Sequence, residues 1–204
     1  MSVVGGCSAQ RYKRGDAFRM DIGTLWRSLG PVDSQPLAAR AAALPPEAWQ
    51  EFDFRQRAYD VHHDTQSVVL LFCDEAWPDV TISQQPGWDR LADLAVPLMH
   101  AILARHYPPG GTILRAMVAK LVAGGRIKPH IDSLASFRAG HRIHIPLTSN
   151  EGVRFTIDGR PCPMPVGEAV EINNQKIHSV MNTGAQDRLS FIFDYVAPQA
   201  SART

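Results

Sequence analysis

Hydrophobic and polar positions divide the 204-residue chain into a helical first half and a strand-rich second half. Over residues 89–106, Leu91, Leu94, Ala95, Leu98, Ile102 and Leu103 recur at three- and four-residue spacing, which predicts an amphipathic helix whose apolar stripe covers one face of a sheet. Upstream, the alanine-rich run 37–44 predicts a helix interrupted by Pro45-Pro46, after which 47–54 can start another. Residues 68–72 are apolar with β-branched members and predict a strand. After Tyr107-Pro-Pro-Gly-Gly111 the period shortens to two, predicting strands over 112–122, 127–131, 142–147, 153–157, 169–172, 177–181 and 189–196. Seven or so short strands with Gly, Pro and Asn between them argue for a sandwich or barrel.

The alternation also separates chemistry from core. Arg142 and His144 fall on one face of their strand while Ile143, Ile145 and Leu147 fall on the other, and Arg188 and Ser190 oppose Leu189, Phe191 and Phe193 in the same way. Polar faces carrying His and Arg, backed by apolar ones, describe the lining of a cavity. His141, next to Arg142, should point away from it.

At this length one domain is expected, burying roughly 70% of its unfolded surface. It spans 1–204, with a helical and strand-containing flank over about 1–110 and a β core over about 111–197. The 21 basic and 20 acidic residues nearly cancel and form no run, which argues against a nucleic-acid or anionic-membrane partner. Cys7, Cys73 and Cys162 lack close pairing and fit a reducing cytoplasm. The stretch before Cys7 is too short for a signal peptide, and no apolar run reaches the roughly 18 residues of a membrane span.

The chemistry concentrates in Lys128-Pro-His-Ile-Asp132, where His130 and Asp132 stand two residues apart and Pro129 restricts Lys128 to extended backbone. His178, in another predicted strand, completes two histidines and a carboxylate. That set leaves about three octahedral positions open and suits non-haem Fe(II) oxygenases better than zinc. Ten residues on, Arg188 heads an apolar strand, where its planar fork suits the carboxylate of a dicarboxylate co-substrate. His62-His63-Asp64 is a poor second metal site, because neighbours in a strand face opposite ways. Arg57, Gln66 and Trp88 are candidates for a substrate entrance, Trp88 being more simply a packing anchor for the following helix.

The blocks His130-Ile-Asp132, Gly140-His-Arg-Ile-His144-Ile-Pro-Leu147, His178-Ser-Val-Met-Asn182 and Arg188-Leu-Ser-Phe-Ile-Phe-Asp194 together resemble the aspartyl/asparaginyl β-hydroxylase family of 2-oxoglutarate-dependent oxygenases. The resemblance covers about residues 115–196. It implies a mainly β fold with flanking helices, the double-stranded β-helix or jelly-roll of cupin-like proteins. It further implies Fe(II) held by His130, Asp132 and His178, 2-oxoglutarate held by Arg188 and His144, O₂ as oxidant, and Arg142 toward a substrate carboxylate. The substrate would be amino-acid-like, either a small molecule or a peptidyl residue. Animal members carry glycine in place of Asp132, a co-substrate-binding serine where Ala119 stands, and an arginine where Gly140 stands. Lys120 is the neighbour available to replace that serine. Two other readings use the same residues: a cupin-like metalloprotein without 2-oxoglutarate chemistry, and a non-catalytic binding or sensing module.

Overall fold

The computed structural model describes residues 20–52, 63–74 and 78–198. Cys7, Arg57, His62 and Trp77 lie outside them. Among the described residues the elements begin with β1 (Trp26–Pro31), α1 (Gln35–Ala42), a 3₁₀ turn (Pro46–Trp49), β2 (Thr65–Cys73), β3 (Ile82–Gln84) and α2 (Gly87–His106). There follow β4 (Thr112–Leu121), β5 (Arg126–His130), the short α3 (Ala135–Ala139), β6 (His141–Pro146), β7 (Val153–Ile157) and β8 (Arg160–Pro161), then β9 (Glu168–Ile172), β10 (His178–Asn182) and β11 (Arg188–Val196).

These strands form two antiparallel sheets, a seven-stranded one in the order β1-β9-β6-β11-β4-β2-β3 and a four-stranded one in the order β5-β10-β7-β8. The expected jelly-roll is therefore present, with α1 and α2 laid on the outer face of the large sheet. The helix ends have local causes. Arg105 and His106 occupy the last turn of α2, where positive charge suits the dipole, and Tyr107 turns to extended backbone because Pro108 follows it. Pro97 is accommodated on the solvent side of α2. Gly124, at φ +73°, makes the tight turn between β4 and β5.

Two differences from the sequence reading stand out. The strands β1 and β3 carry no usable alternation, yet both extend the large sheet, β1 beside β9 and β3 beside β2. The helix predicted after Pro45-Pro46 is one 3₁₀ turn within the described residues.

The large sheet separates two cores. On its helix side, Val68, Leu70, Ala116, Val118, Ile143, Ile145, Phe191 and Phe193 pack against Leu91, Leu98, Met99 and Ile102, with Trp88 alongside as the expected anchor. Between the sheets, Leu121, Val170 and Ile172 meet Phe155, Ile157 and Val180. Arg142, His144, Arg188 and Ser190 share that inner side, as the alternation required.

On the helix side one polar cluster interrupts the core. Glu171, fully buried, accepts from His141 Nδ1 at 2.5 Å, from Tyr107 Oη at 2.9 Å and from Arg27 Nε at 2.5 Å. Burial alone would raise the Glu171 carboxyl, but the hydrogen bond and charge of His141, together with Arg27, hold it below its ordinary value. A depressed carboxyl stabilises the fold above the unfolded pKa, and that contribution is lost as pH falls through the folded value. Glu171→Gln is therefore expected to cost about 3 kcal/mol at neutral pH and to flatten the loss of stability on acidification below about pH 4. Urea unfolding from pH 7 to pH 3 checks both, and an unchanged acid slope would remove Glu171 from the account.

Candidate metal centre

His130 is the last residue of β5 and His178 the first of β10, and the two are register partners. The pairing slips between His178 and Val180, so Lys128 and Pro129 together oppose Ser179. A bulge is what Pro129 demands, since it has no N–H for the ladder. Beyond the bulge the two imidazoles meet, with ring centroids 4.3 Å apart.

Each imidazole is oriented by its own backbone. His130 Nδ1 lies 2.8 Å from Lys128 O and His178 Nδ1 lies 3.0 Å from Lys176 O. A carbonyl only accepts, so both Nδ1 atoms carry hydrogen, and in the neutral ring it is Nε2 that offers the lone pair. The Lys-x-His repeat in Lys128-Pro-His130 and Lys176-Ile-His178 thus has a structural meaning that the sequence reading did not assign.

Asp132 follows the end of β5 and is clamped by the turn before β10. Its N–H donates to Asn174 O at 3.3 Å, and Gln175 Nε2 donates to its carbonyl at 3.2 Å. Its carboxylate comes within 3.9 Å of His130 Nε2 and 3.8 Å of His178 Nε2. The three side chains can each offer one ligand atom within 4.8 Å of the others. Two neutral imidazole nitrogens and one carboxylate are a donor set fit for a divalent iron. Burial holds His178 below its ordinary pKa against the opposing pull of Asp132, which keeps the ring in its ligating form.

Arg142 is bound differently from the expectation. Its Nη1 donates to the Asp132 carboxylate, while Nε and Nη2 form a fork to Asp194 at 2.8 and 2.9 Å. Arg115 continues the row, 3.7 Å from Asp194 and hydrogen-bonded to Ser136 at 2.8 Å. Phe137 packs against both guanidiniums, 4.5 Å from Arg142 and 4.2 Å from Arg115. Burial works against the charge on Arg142, but Asp132 and Asp194 outweigh it and raise its pKa. A guanidinium so committed holds the candidate ligand Asp132 in place, a partnership that the sequence reading, which pointed Arg142 toward a substrate carboxylate, did not name. Asp194, Arg115, Asn174 and Gln175 were not picked out from the sequence, because their roles exist only through cross-strand register and a tertiary turn.

Arg188 is the opposite case. It is 4% exposed, and its Nε and Nη2 have no hydrogen-bond partner among the described residues. Asp187 accepts from Ala123 N, and Asp194 is taken by Arg142, so neither neighbouring carboxylate serves it. Burial pushes its pKa down to about 10. The guanidinium sits 6.0 Å from the centre of the Phe155 ring, which also packs against His144 at 5.6 Å and, at 6.4 Å, against His178. Phe155 therefore lies between the metal-ligand set and the pair Arg188 and His144. A buried guanidinium that lacks a partner among the described residues and faces this inner space has the chemistry to receive an anion.

Lys120 does not contribute. Adjacent to Ala119 in β4, it points to the other face, with Nζ 4.0 Å from the Trp49 ring, and lines a hollow of about 420 Å³ with Gln66 and Asp187. Gln66 is thereby also removed from the inner cavity. His63 is exposed and bonded to Asp64 at 2.9 Å, with no further ligand brought to it among the described residues.

The family model described as aspartyl/asparaginyl beta-hydroxylase matches residues 37–198. No curated protein sequence matches the chain. Among solved structures, the chain is similar to an oxidoreductase of the 2OG-Fe(II) oxygenase family from Burkholderia pseudomallei at 18% identity and TM-score 0.53, covering 82% of this chain and 79% of that one. It is also similar to EvdMO1 at 15% identity and TM-score 0.52, covering 90% of this chain and 49% of that one. These likenesses bear on the fold. Among the described residues no helix is long and apolar enough to cross a membrane.

Proposed function

The chain belongs to the aspartyl/asparaginyl β-hydroxylase family, Fe(II)- and 2-oxoglutarate-dependent oxygenases, and from that premise we propose that it hydroxylates an amino-acid-like substrate, free or peptidyl, at iron held by His130, Asp132 and His178. The observation that carries this reading is the pairing of a convergent three-donor set with a buried Arg188, whose Nε and Nη2 lack partners among the described residues, on the same side of the large sheet.

In this assignment Arg188 forms the salt bridge to the distal carboxylate of 2-oxoglutarate, with His144 beside it. Bound iron with 2-oxoglutarate and O₂ supplies the oxidising power, yielding succinate, CO₂ and a hydroxylated carbon. The protein's own residues position and exclude. Lys128 O and Lys176 O hold the imidazoles with Nε2 inward. Arg142 fixes the Oδ2 oxygen of Asp132 and is itself tethered through Asp194 to Arg115. Phe155, 4% exposed, shields the space between them from water.

The test is to load the full chain with Fe(II) and assay it with 2-oxoglutarate and O₂ against a panel of free amino acids and short peptides. The expected result is metal-dependent succinate formation stimulated by at least one amino-acid-like compound. Succinate formed equally without iron would overturn the metal assignment. Turnover stimulated only by compounds lacking an amino-acid moiety would overturn the substrate class.

A further inference from the structure

Ser67 lies in β2 at 0% exposure, and its Oγ has no hydrogen-bond partner among the described residues. Its flanking neighbour Val68 packs into the helix-side core, so alternation turns Ser67 to the inner side of the large sheet, the side of Arg188. Register places it closely. Ser67 pairs with Ala119 of β4, which pairs in turn with Ser190 of β11, and in the adjacent row Thr65 pairs with Leu121 and Leu121 with Arg188. Rows on one face of a strand lie roughly 7 Å apart, within the reach of an arginine side chain. Only the methyl of Ala119 stands between Ser67 and β11 in its row.

Two buried donors are thus left unmatched on the same patch of sheet. Burying a hydroxyl without a partner destabilises the fold, and an unpaired guanidinium costs more. The competing hydroxyl in its own row is occupied, since Ser190 Oγ donates to Ile145 O at 3.4 Å. The open edge of Arg188 is its Nε and Nη2, a fork that matches the two oxygens of a carboxylate. A carboxylate so held still has lone pairs for a third donor.

We propose that Ser67 is that third donor, its hydroxyl binding the distal carboxylate of 2-oxoglutarate beside Arg188 and over Ala119. The proposal rests on the co-substrate reading given above and adds to it a residue two strands away from the arginine. It also predicts an asymmetry that a structural serine would not give. Removing an unmatched hydroxyl should leave the ligand-free protein as stable or slightly more so, while weakening 2-oxoglutarate.

The experiment uses the full chain loaded with Mn(II) under anaerobic conditions. Affinity for 2-oxoglutarate and for 2-oxobutyrate, which keeps the 2-oxo acid but lacks the distal carboxylate, is measured by calorimetry for wild type, Ser67→Ala and Arg188→Met. Melting temperatures are taken with and without each ligand. The expected result for Ser67→Ala is an unchanged or raised ligand-free melting temperature, roughly tenfold weaker 2-oxoglutarate and unchanged 2-oxobutyrate. Ser67→Cys, close in size with a weak donor, should show the same pattern. The proposal is overturned if Ser67→Ala binds 2-oxoglutarate like wild type, if both ligands weaken equally, or if the ligand-free protein is clearly destabilised. Loss of 2-oxoglutarate in Arg188→Met alone would sink the role of Ser67 only. Retention in Arg188→Met would instead sink the co-substrate reading itself.

Discussion

His178→Ala is expected to reduce iron-dependent succinate formation by more than roughly 10³-fold, about 4 kcal/mol of barrier, while the protein remains folded. The imidazole contributes one of three donors lying within 4.8 Å of one another, and no other His, Cys, Asp or Glu is grouped with them among the described residues. With His178 gone the remaining donors are one histidine and Asp132, whose carboxylate is already shared with Arg142. A two-donor site retains metal poorly and leaves the orientation of any co-substrate undefined. The fold should tolerate the change because the ring's contacts are with the other two candidate ligands His130 and Asp132, with Phe155 and with one backbone carbonyl, at the edge of the core rather than within it. Metal content after dialysis, succinate yield and the melting temperature with and without Fe(II) check the three parts separately. Full turnover in the variant would show that iron is held elsewhere.

Arg188→Met is expected to change two measurements in opposite directions. Without ligand the variant should melt higher than wild type, because an apolar side chain of similar length replaces a charge that is 4% exposed and unmatched at Nε and Nη2. With 2-oxoglutarate it should bind at least 100-fold more weakly, since truncating one partner of a buried, hydrogen-bonded charge pair typically costs 2–5 kcal/mol or more. Burial already depresses the pKa of this arginine to about 10, the sign of a charge that burial leaves poorly compensated. A variant that melts lower without ligand and binds 2-oxoglutarate normally would mean that Arg188 supports the fold instead.

The sequence on its own determined much of the architecture and the membership of the central cluster. Period-two alternation is a local property, so the strands of the second half, the inward faces of Arg142, His144 and Arg188 and the outward face of His141 could all be read without knowing what they meet. The same rule already implied that Lys120, next to Ala119, turns away from the cavity, a signal present in the chain but outweighed by mere proximity. What tertiary structure alone decided was partnership. Asp194 lies far along the chain from Arg142 and Arg115, yet antiparallel register sets it between them, which lets Arg142 act as a strut for Asp132. Ser67 likewise joins the neighbourhood of Arg188 only because β2 and β11 flank β4. Which face a residue takes follows from its immediate neighbours, whereas the compensation of a buried charge depends on strand order, and strand order is settled by the packing of the whole sheet.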